Sequence, residues 1–147
     1  MIAVIQRCSQ GKVTVSDKIV GEISHGLVIL LGVQKNDTEN DAEFLVNKIC
    51  GLRIFNDEND KMNLSIKDVN GSALVISQFT LCGDTKKGRR PSFIKAATPN
   101  DGNRLYEYFM SEIKKGGVPI ESGEFGATMD VELVNNGPVT FVLNSKD

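Results

Sequence analysis

The apolar positions of this chain change period several times, and each change marks an element. Ile2 to Gln6 alternates weakly, Lys12 to Val15 follows Gly11, and Ile19 to Ile23 follows a polar Ser16-Asp17-Lys18 break. Alternation on both sides of a short polar break predicts a hairpin. Gly26 to Val33 is apolar throughout, as expected of a strand buried on both faces. The period then lengthens. Asp37-Thr38-Glu39 supplies a cap and early acids, and Ala42, Leu45, Val46 and Ile49 share one face as far as Gly51, which predicts an amphipathic helix. Leu52 to Phe55 predicts a short strand, Asn56 to Lys61 a polar turn, and Ala73 to Ser77 a further buried strand. A second helix is expected from Pro99-Asn100-Asp101 to Gly116-Gly117, with Leu105, Phe109 and Ile113 repeating along it. Met129, Val131 and Leu133 then alternate, as do Val139, Phe141 and Leu143. The Asn135-Asn136-Gly137-Pro138 segment between these runs predicts a hairpin turn, with Pro138 opening the next strand where no N–H is needed. By pattern its Gly-Pro bond is expected trans, since only about 5–6% of X–Pro bonds in folded proteins are cis. Strands outnumber helices without a regular alternation, so the pattern predicts an α+β fold.

Composition narrows the picture. A length of 147 residues predicts one domain over residues 1–147. Such a chain buries roughly 70% of the surface it exposes unfolded and needs no metal or disulfide staple. The only histidine is His25, expected at a surface turn, so a His-rich metal site is excluded and any triad would have to run through it. Cys8, Cys50 and Cys82 form no paired motif and fit a reducing compartment. The apolar run Leu27 to Leu31 is far below the ~20 residues of a spanning helix. A soluble, cytoplasmic protein is expected, with no membrane partner.

Charge alters that view in one place. The net charge of -2 offers no general attraction for polyanions. Yet Asp84 to Lys95 holds five cations (Lys86, Lys87, Arg89, Arg90, Lys95) and one anion, a +4 segment on a -6 remainder. This predicts a local phosphate contact on an acidic body, against the plainer possibility of a solvated loop. Gly83 and Gly88 bracket four residues as in a phosphate-binding P-loop, but Arg89-Arg90-Pro91 stands where Lys and Ser/Thr are required, which rejects that motif. Ser77-Gln78-Phe79-Thr80-Leu81 lies where a buried strand runs out toward the basic loop, a place where a sheet can present backbone donors. Thr80 could act as a nucleophile only with a base, and the sequence names none.

These residues together carry a resemblance. The chain resembles the D-aminoacyl-tRNA deacylase (D-tyrosyl-tRNA deacylase) family almost end to end. The likeness runs through Gln6-Arg7, Gly21, Gly26-Leu27, Lys48, Leu52-Arg53-Ile54-Phe55 and Lys61-Met62-Asn63. It continues through Ser77-Gln78-Phe79-Thr80-Leu81, Lys87 to Phe93, Gly123-Glu124-Phe125-Gly126-Ala127, Met129 and Asn135 to Thr140. The Ser-Gln-Phe-Thr and Asn-x-Gly-Pro-x-Thr elements, in this order and spacing, are specific together. Departures are minor: Cys82 replaces a more usual aromatic or aliphatic residue, and Arg89 an Asn.

The resemblance implies a single compact domain with a mostly antiparallel or mixed, barrel-like sheet and two main helices, working as a homodimer. It implies hydrolysis of the ester joining a D-amino acid, or glycine, to the terminal ribose of tRNA, with no cofactor, no metal and no DNA partner. It makes Gly137-Pro138 a cis segment that reaches into the partner's active site and excludes L-aminoacyl groups, with Arg7 supporting it. Gln78, Phe79 and Thr80 take the catalytic positions, and Ser77, Ala96, Phe125 and Met129 line the pocket. Lys86, Lys87, Arg89 and Arg90 are candidates for contact with the tRNA acceptor end. Backbone donors at Phe79 and Thr80, with the terminal 2′-hydroxyl, rank above a Thr80 nucleophile. The competing readings are a non-catalytic RNA-binding module, a synthetase proofreading domain and a hydrolase of small D-amino-acid esters.

Overall fold

The first fifteen residues make one strand where two runs are visible in the sequence. In the computed structural model, which describes residues 1–147, β1 spans Ile2–Val15. A two-residue turn at Ser16-Asp17, both at positive φ (49° and 65°), returns the chain into β2 (Lys18–Ile23). Positive φ at both loop positions matches the twist of the flanking strands, which is why two non-glycine residues tolerate it. β3 (Gly26–Gly32) follows, then helix α1 (Glu39–Gly51), the short pair β4 (Phe55–Asn56) and β5 (Met62–Leu64), and β6 (Ser72–Ser77). A 3-10 turn (Phe79–Cys82), helix α2 (Pro99–Lys115), β7 (Ile120–Ser122) and β8 (Asp130–Asn144) complete the chain.

Six strands form one mixed sheet in the order β2-β1-β3-β6-β7, with β8 paired to β1. Ile2–Cys8 of β1 pair antiparallel with β3, and Gly11–Val15 with β2. β6 joins β3 in parallel, and β7 joins β6 in parallel. β7 also lies alongside β2, so the sheet curls nearly into a barrel. The α+β class, the mixed barrel-like sheet and the two helices agree with expectation. None of the helices is long and apolar enough to cross a membrane.

β3 and β6 are buried on both faces, as their unbroken apolar runs predict. Leu27, Ile29, Leu31, Ala73 and Val75 pack against Leu45 and Ile49 of α1 and Leu105 and Phe109 of α2. Val28, Leu74 and Ile76 face the other way, onto Cys8, Val13 and Ile23. Each such side chain contributes about 1.5–3 kcal/mol through burial, so the sheet centre is the rigid part of the molecule. Both helices are capped. Asp41 Oδ2 accepts from the Thr38 amide at 2.8 Å, and Thr98 Oγ1 accepts from the Asp101 amide at 3.3 Å with Pro99 in the first turn.

Two sequence expectations fail here. Leu52 to Phe55 is not a strand: only Phe55 pairs, and the Ile54 carbonyl instead accepts from Arg7 Nη1 at 2.9 Å. The predicted hairpin at Asn135 to Pro138 is absent as well. β8 runs antiparallel to β1 on both sides of that segment, with Gln6 opposite Thr140 and Cys8 opposite Asn135. The four residues Asn136–Val139 therefore bulge from a continuous strand opposite Arg7. Asn135 closes the bulge with its own side chain, Oδ1 accepting from the Val139 amide at 2.7 Å and Nδ2 donating to Thr140 Oγ1 at 2.9 Å. The chain does not reverse because both alternating runs find their partner on the same long strand.

Arg7 is buried and donates to three neutral oxygens: Asn136 O at 2.8 Å, Ile54 O at 2.9 Å and Asn56 Oδ1 at 3.1 Å. Arg7→Leu strips these acceptors of a charged donor and is expected to cost about 3 kcal/mol in urea unfolding. A loss under about 1 kcal/mol would show that water satisfies the acceptors equally well. A second anchor lies at Asp41, which takes Lys146 Nζ at 2.8 Å and Ser145 Oγ at 2.7 Å. Burial works to raise the Asp41 carboxyl, but Lys146, the Thr38 amide and Ser145 outweigh it and hold it well below the usual range. A depressed native carboxyl contributes stability that is full above its unfolded value of about 4 and is lost as pH falls through the native value. Asp41→Ala is therefore expected to lower stability by about 1 kcal/mol at neutral pH. The gap to wild type should close in acid. A gap that persists unchanged at pH about 1–2 would contradict this assignment.

Candidate active site

The parallel ladder between β3 and β6 runs one residue past the strand, with Gln78 N donating to Leu31 O at 2.7 Å. The chain then tightens into the 3-10 turn. Gly32 permits this, because a Cβ there would lie 3.0 Å from Leu81 Cβ and 3.1 Å from Gln78 O. The turn's own bonds begin with Leu81 N to Gln78 O and Gly83 N to Thr80 O. The amides of Phe79 and Thr80 open the turn and donate to no other group of the protein, as first-turn amides of a helix do.

Beside them lies a cavity of about 480 Å³. Ser77, Gln78 and Phe79 form one side, Ala97 to Pro99 and Gly102 at the start of α2 another, and Phe125 to Ala127 with Met129 a third. None of its lining side chains is ionisable. Phe125 rests on Tyr106, ring centroids 5.9 Å apart, and Tyr106 donates from its hydroxyl to Val75 O at 2.9 Å. Burial pushes the Tyr106 phenol up to about 12, so it remains a donor tying α2 to β6. None of the three cysteines lines the cavity, and burial raises all three thiols, Cys8 to about 11.

Of the residues singled out from sequence, Ser77, Gln78, Phe79, Phe125 and Met129 line this cavity. Thr80 does not; its hydroxyl oxygen accepts from Gln78 Nε2 at 2.5 Å. Ala96 bridges to Gln34, and its neighbour Ala97 forms the wall. Sequence reasoning missed Ala97, Thr98 and Gly102, whose one available signal was that Thr98 precedes the Pro99 helix start. His25 is exposed, with its ring edge-on to Phe55, and takes no part.

The remaining candidates lie apart. Gly137-Pro138 is exposed, outside the lining of this chain's cavity, and its peptide bond is cis where pattern alone predicted trans. Gly137 has φ +143°, and a Cβ on it would fall 2.6 Å from Val139 Cγ2 and 3.0 Å from Val139 N. Only glycine fits. The basic loop is pinched at its neck by paired backbone bonds between Asp84 and Ser92, at 2.8 and 2.9 Å. Lys86, Lys87, Arg89 and Arg90 are exposed on it, while Lys95 pairs with Asp84 at 3.5 Å.

Comparison with known proteins assigns this architecture. A family model described as D-Tyr-tRNA(Tyr) deacylase matches residues 4–144. The D-aminoacyl-tRNA deacylase of Thermosipho melanesiensis is 55% identical over 147 residues, covering 99% of this chain and 98% of that protein. That of Bacillus cytotoxicus is also 55% identical, over 99% of this chain and the whole of its own length (100%). A solved structure described as a c-Myc DNA Unwinding Element Binding Protein is 37% identical, covers 98% of both chains and superimposes with a TM-score of 0.93. A probable eukaryotic D-amino acid tRNA deacylase shares the fold at 18% identity and TM-score 0.82, over 97% of this chain and 98% of its own. With a family model spanning nearly all of its length and relatives this close, the chain belongs to the D-Tyr-tRNA(Tyr) deacylase family.

Proposed function

We infer that the chain is a D-aminoacyl-tRNA deacylase, a hydrolase that splits the ester between a D-amino acid and the terminal ribose of tRNA. Membership of the family at this identity carries the activity; the chemistry rests on one observation. Two backbone amides without a partner stand beside a cavity that has no ionisable side chain. An aminoacyl ester is already labile, so fixed donors aimed at the developing oxyanion are worth on the order of 10²–10³ in rate each. Water adds to the ester carbonyl and the bond to the ribose oxygen breaks. The neighbouring 2′-hydroxyl relays the proton from water to that leaving oxygen. Gln78 holds the ester and the ribose. Thr80 has no base, and the amide that faces it is a donor.

The protein works as a homodimer in this reading. β8 pairs on one edge only, with β1, and exposes Val134, Phe141 and Val142 along its length. A long unpaired apolar edge is a template for a second chain. Gly137-Pro138 then enters the partner's cavity, held from behind by Arg7. D and L groups offer the same attractive contacts, so a rigid obstruction on one side discriminates better than added affinity. Glycyl-tRNA, lacking a side chain, passes the same filter. The loop cations Lys86, Lys87, Arg89 and Arg90 meet the acceptor end, in the cytoplasm where charged tRNA is used.

Incubation with D-Tyr-tRNA should release tyrosine, and L-Tyr-tRNA should survive. Binding of the RNA without release would leave a non-catalytic RNA-binding module. Thr80→Ala is expected to keep turnover within about tenfold, because it retains the amide, whereas losing an oxyanion donor costs on the order of 10²–10³. Near-complete loss with intact binding would make Thr80 the nucleophile. Gly137→Ala pushes a Cβ into Val139, and is expected to cut D-deacylation roughly 10²-fold or to admit L-Tyr-tRNA. Unchanged rates on D-, glycyl- and L-aminoacyl-tRNA would remove this segment from substrate selection.

A further inference from the structure

Two exposed aromatic rings lie between the cavity and the cationic loop. Phe79, which forms one wall of the cavity, is 55% exposed, and Phe93, at the neck of the loop, is 39% exposed. Their centroids are 5.0 Å apart at 65°, so each ring fixes the other. In the loop that closes beside Phe93, Lys86, Lys87, Arg89 and Arg90 are exposed, and among the loop cations only Lys95 is spent on an ion pair. Phe79 and Phe93 thus join the cavity wall to the neck of the cationic loop.

We propose that the Phe79–Phe93 pair is a stacking platform for the RNA base that precedes the terminal adenosine, with the loop cations taking the phosphates on either side. The proposal rests on the cavity holding the terminal aminoacyl-adenosine. Alternating aromatic faces and unpaired cations are how proteins hold single-stranded RNA, since every base has a π-face and every linkage a negative charge. Charge favours RNA over a second copy of this chain: a twofold contact through this face would set four unpaired cations against four. Specificity for a particular base is not required, because stacking tolerates any.

The test uses the full chain and three substrates: D-Tyr-tRNA, the same RNA with an abasic ribose next to its terminal adenosine, and D-tyrosyl-adenosine alone. Phe93→Leu keeps apolar bulk against Phe79 but has no π-face, and Phe93→Trp restores one. Phe93→Leu is expected to raise KM for D-Tyr-tRNA about tenfold with kcat unchanged, in line with the loss of one base–aromatic stack. It should leave D-tyrosyl-adenosine turnover as in wild type. The abasic RNA should cost wild type the same factor and cost the variant nothing more, and Phe93→Trp should recover the loss. Equal losses on D-Tyr-tRNA and D-tyrosyl-adenosine, additive losses with the abasic RNA, or no effect of Phe93→Leu would overturn the proposal. So would a Phe93→Leu chain that sediments as a smaller species than wild type, since a second copy would then be the occupant. A wild type inert on both D-Tyr-tRNA and D-tyrosyl-adenosine would instead remove the deacylase reading, and the platform with it.

Discussion

The parallel pairing of β6 with β3 fixes where the candidate site lies. Both strands are buried on two faces, so their ends hardly move, and Gln78 extends the ladder by one more bond. The chain must then leave the sheet at once, and a glycine at position 32 gives it room to do so as a tight turn. A tight turn has amides with nothing to donate to. The edge proposed to react is therefore a consequence of sheet geometry. Preorganised dipoles of this kind lower a barrier without reorganising during the reaction, which suits a cavity with no acid or base in its lining.

A second constraint sits on the opposite side of β1. β8 needs β1 along its whole length, yet it sets four residues against the single residue Arg7, an excess of three. Asn135 and Arg7 absorb the excess from two directions, one through its side-chain amide and the other through a guanidinium that takes Asn136 O. The resulting projection is narrow and firmly backed. A steric filter needs both properties, because a soft obstruction would yield to an L side chain at small cost. Support and projection also share β1 with the core, so the proposed selection would be tied to the stability of the fold.

Much of this was legible in the chain, and the exceptions have identifiable causes. The two helices, the cap of the first and the doubly buried strands follow from local patterns that the tertiary structure reinforces. The hairpin expectation failed because Asn-Gly-Pro satisfies turn chemistry and bulge chemistry alike, and only the long-range partner of both flanking runs separates them. Ser16-Asp17, a weaker turn signal, makes the actual two-residue turn, since the strands on either side of it pair directly with each other. Leu52 to Ile54 reads as strand by composition, but a distant arginine claims the Ile54 carbonyl. β7, three residues long, carries too little pattern to be seen and exists because β6 offers a free parallel edge. At the site, the Ser77 to Thr80 segment was visible as a polar strand end. The walls contributed by Ala97, Thr98 and Gly102 were not, because small residues at a helix start have no signature of their own.

The central chemical claim is that backbone donors and the substrate's own hydroxyl replace side-chain acid–base groups. It is tested most directly by a D-aminoacyl-tRNA whose terminal ribose lacks the 2′-hydroxyl, with the amino acid on the 3′-oxygen. The quantity to measure is the single-turnover rate divided by the spontaneous hydrolysis rate of the same ester. A fall of about 10²-fold or more relative to the natural substrate, with binding preserved, is the expected result. An undiminished ratio would place the proton relay on the protein and contradict the mechanism.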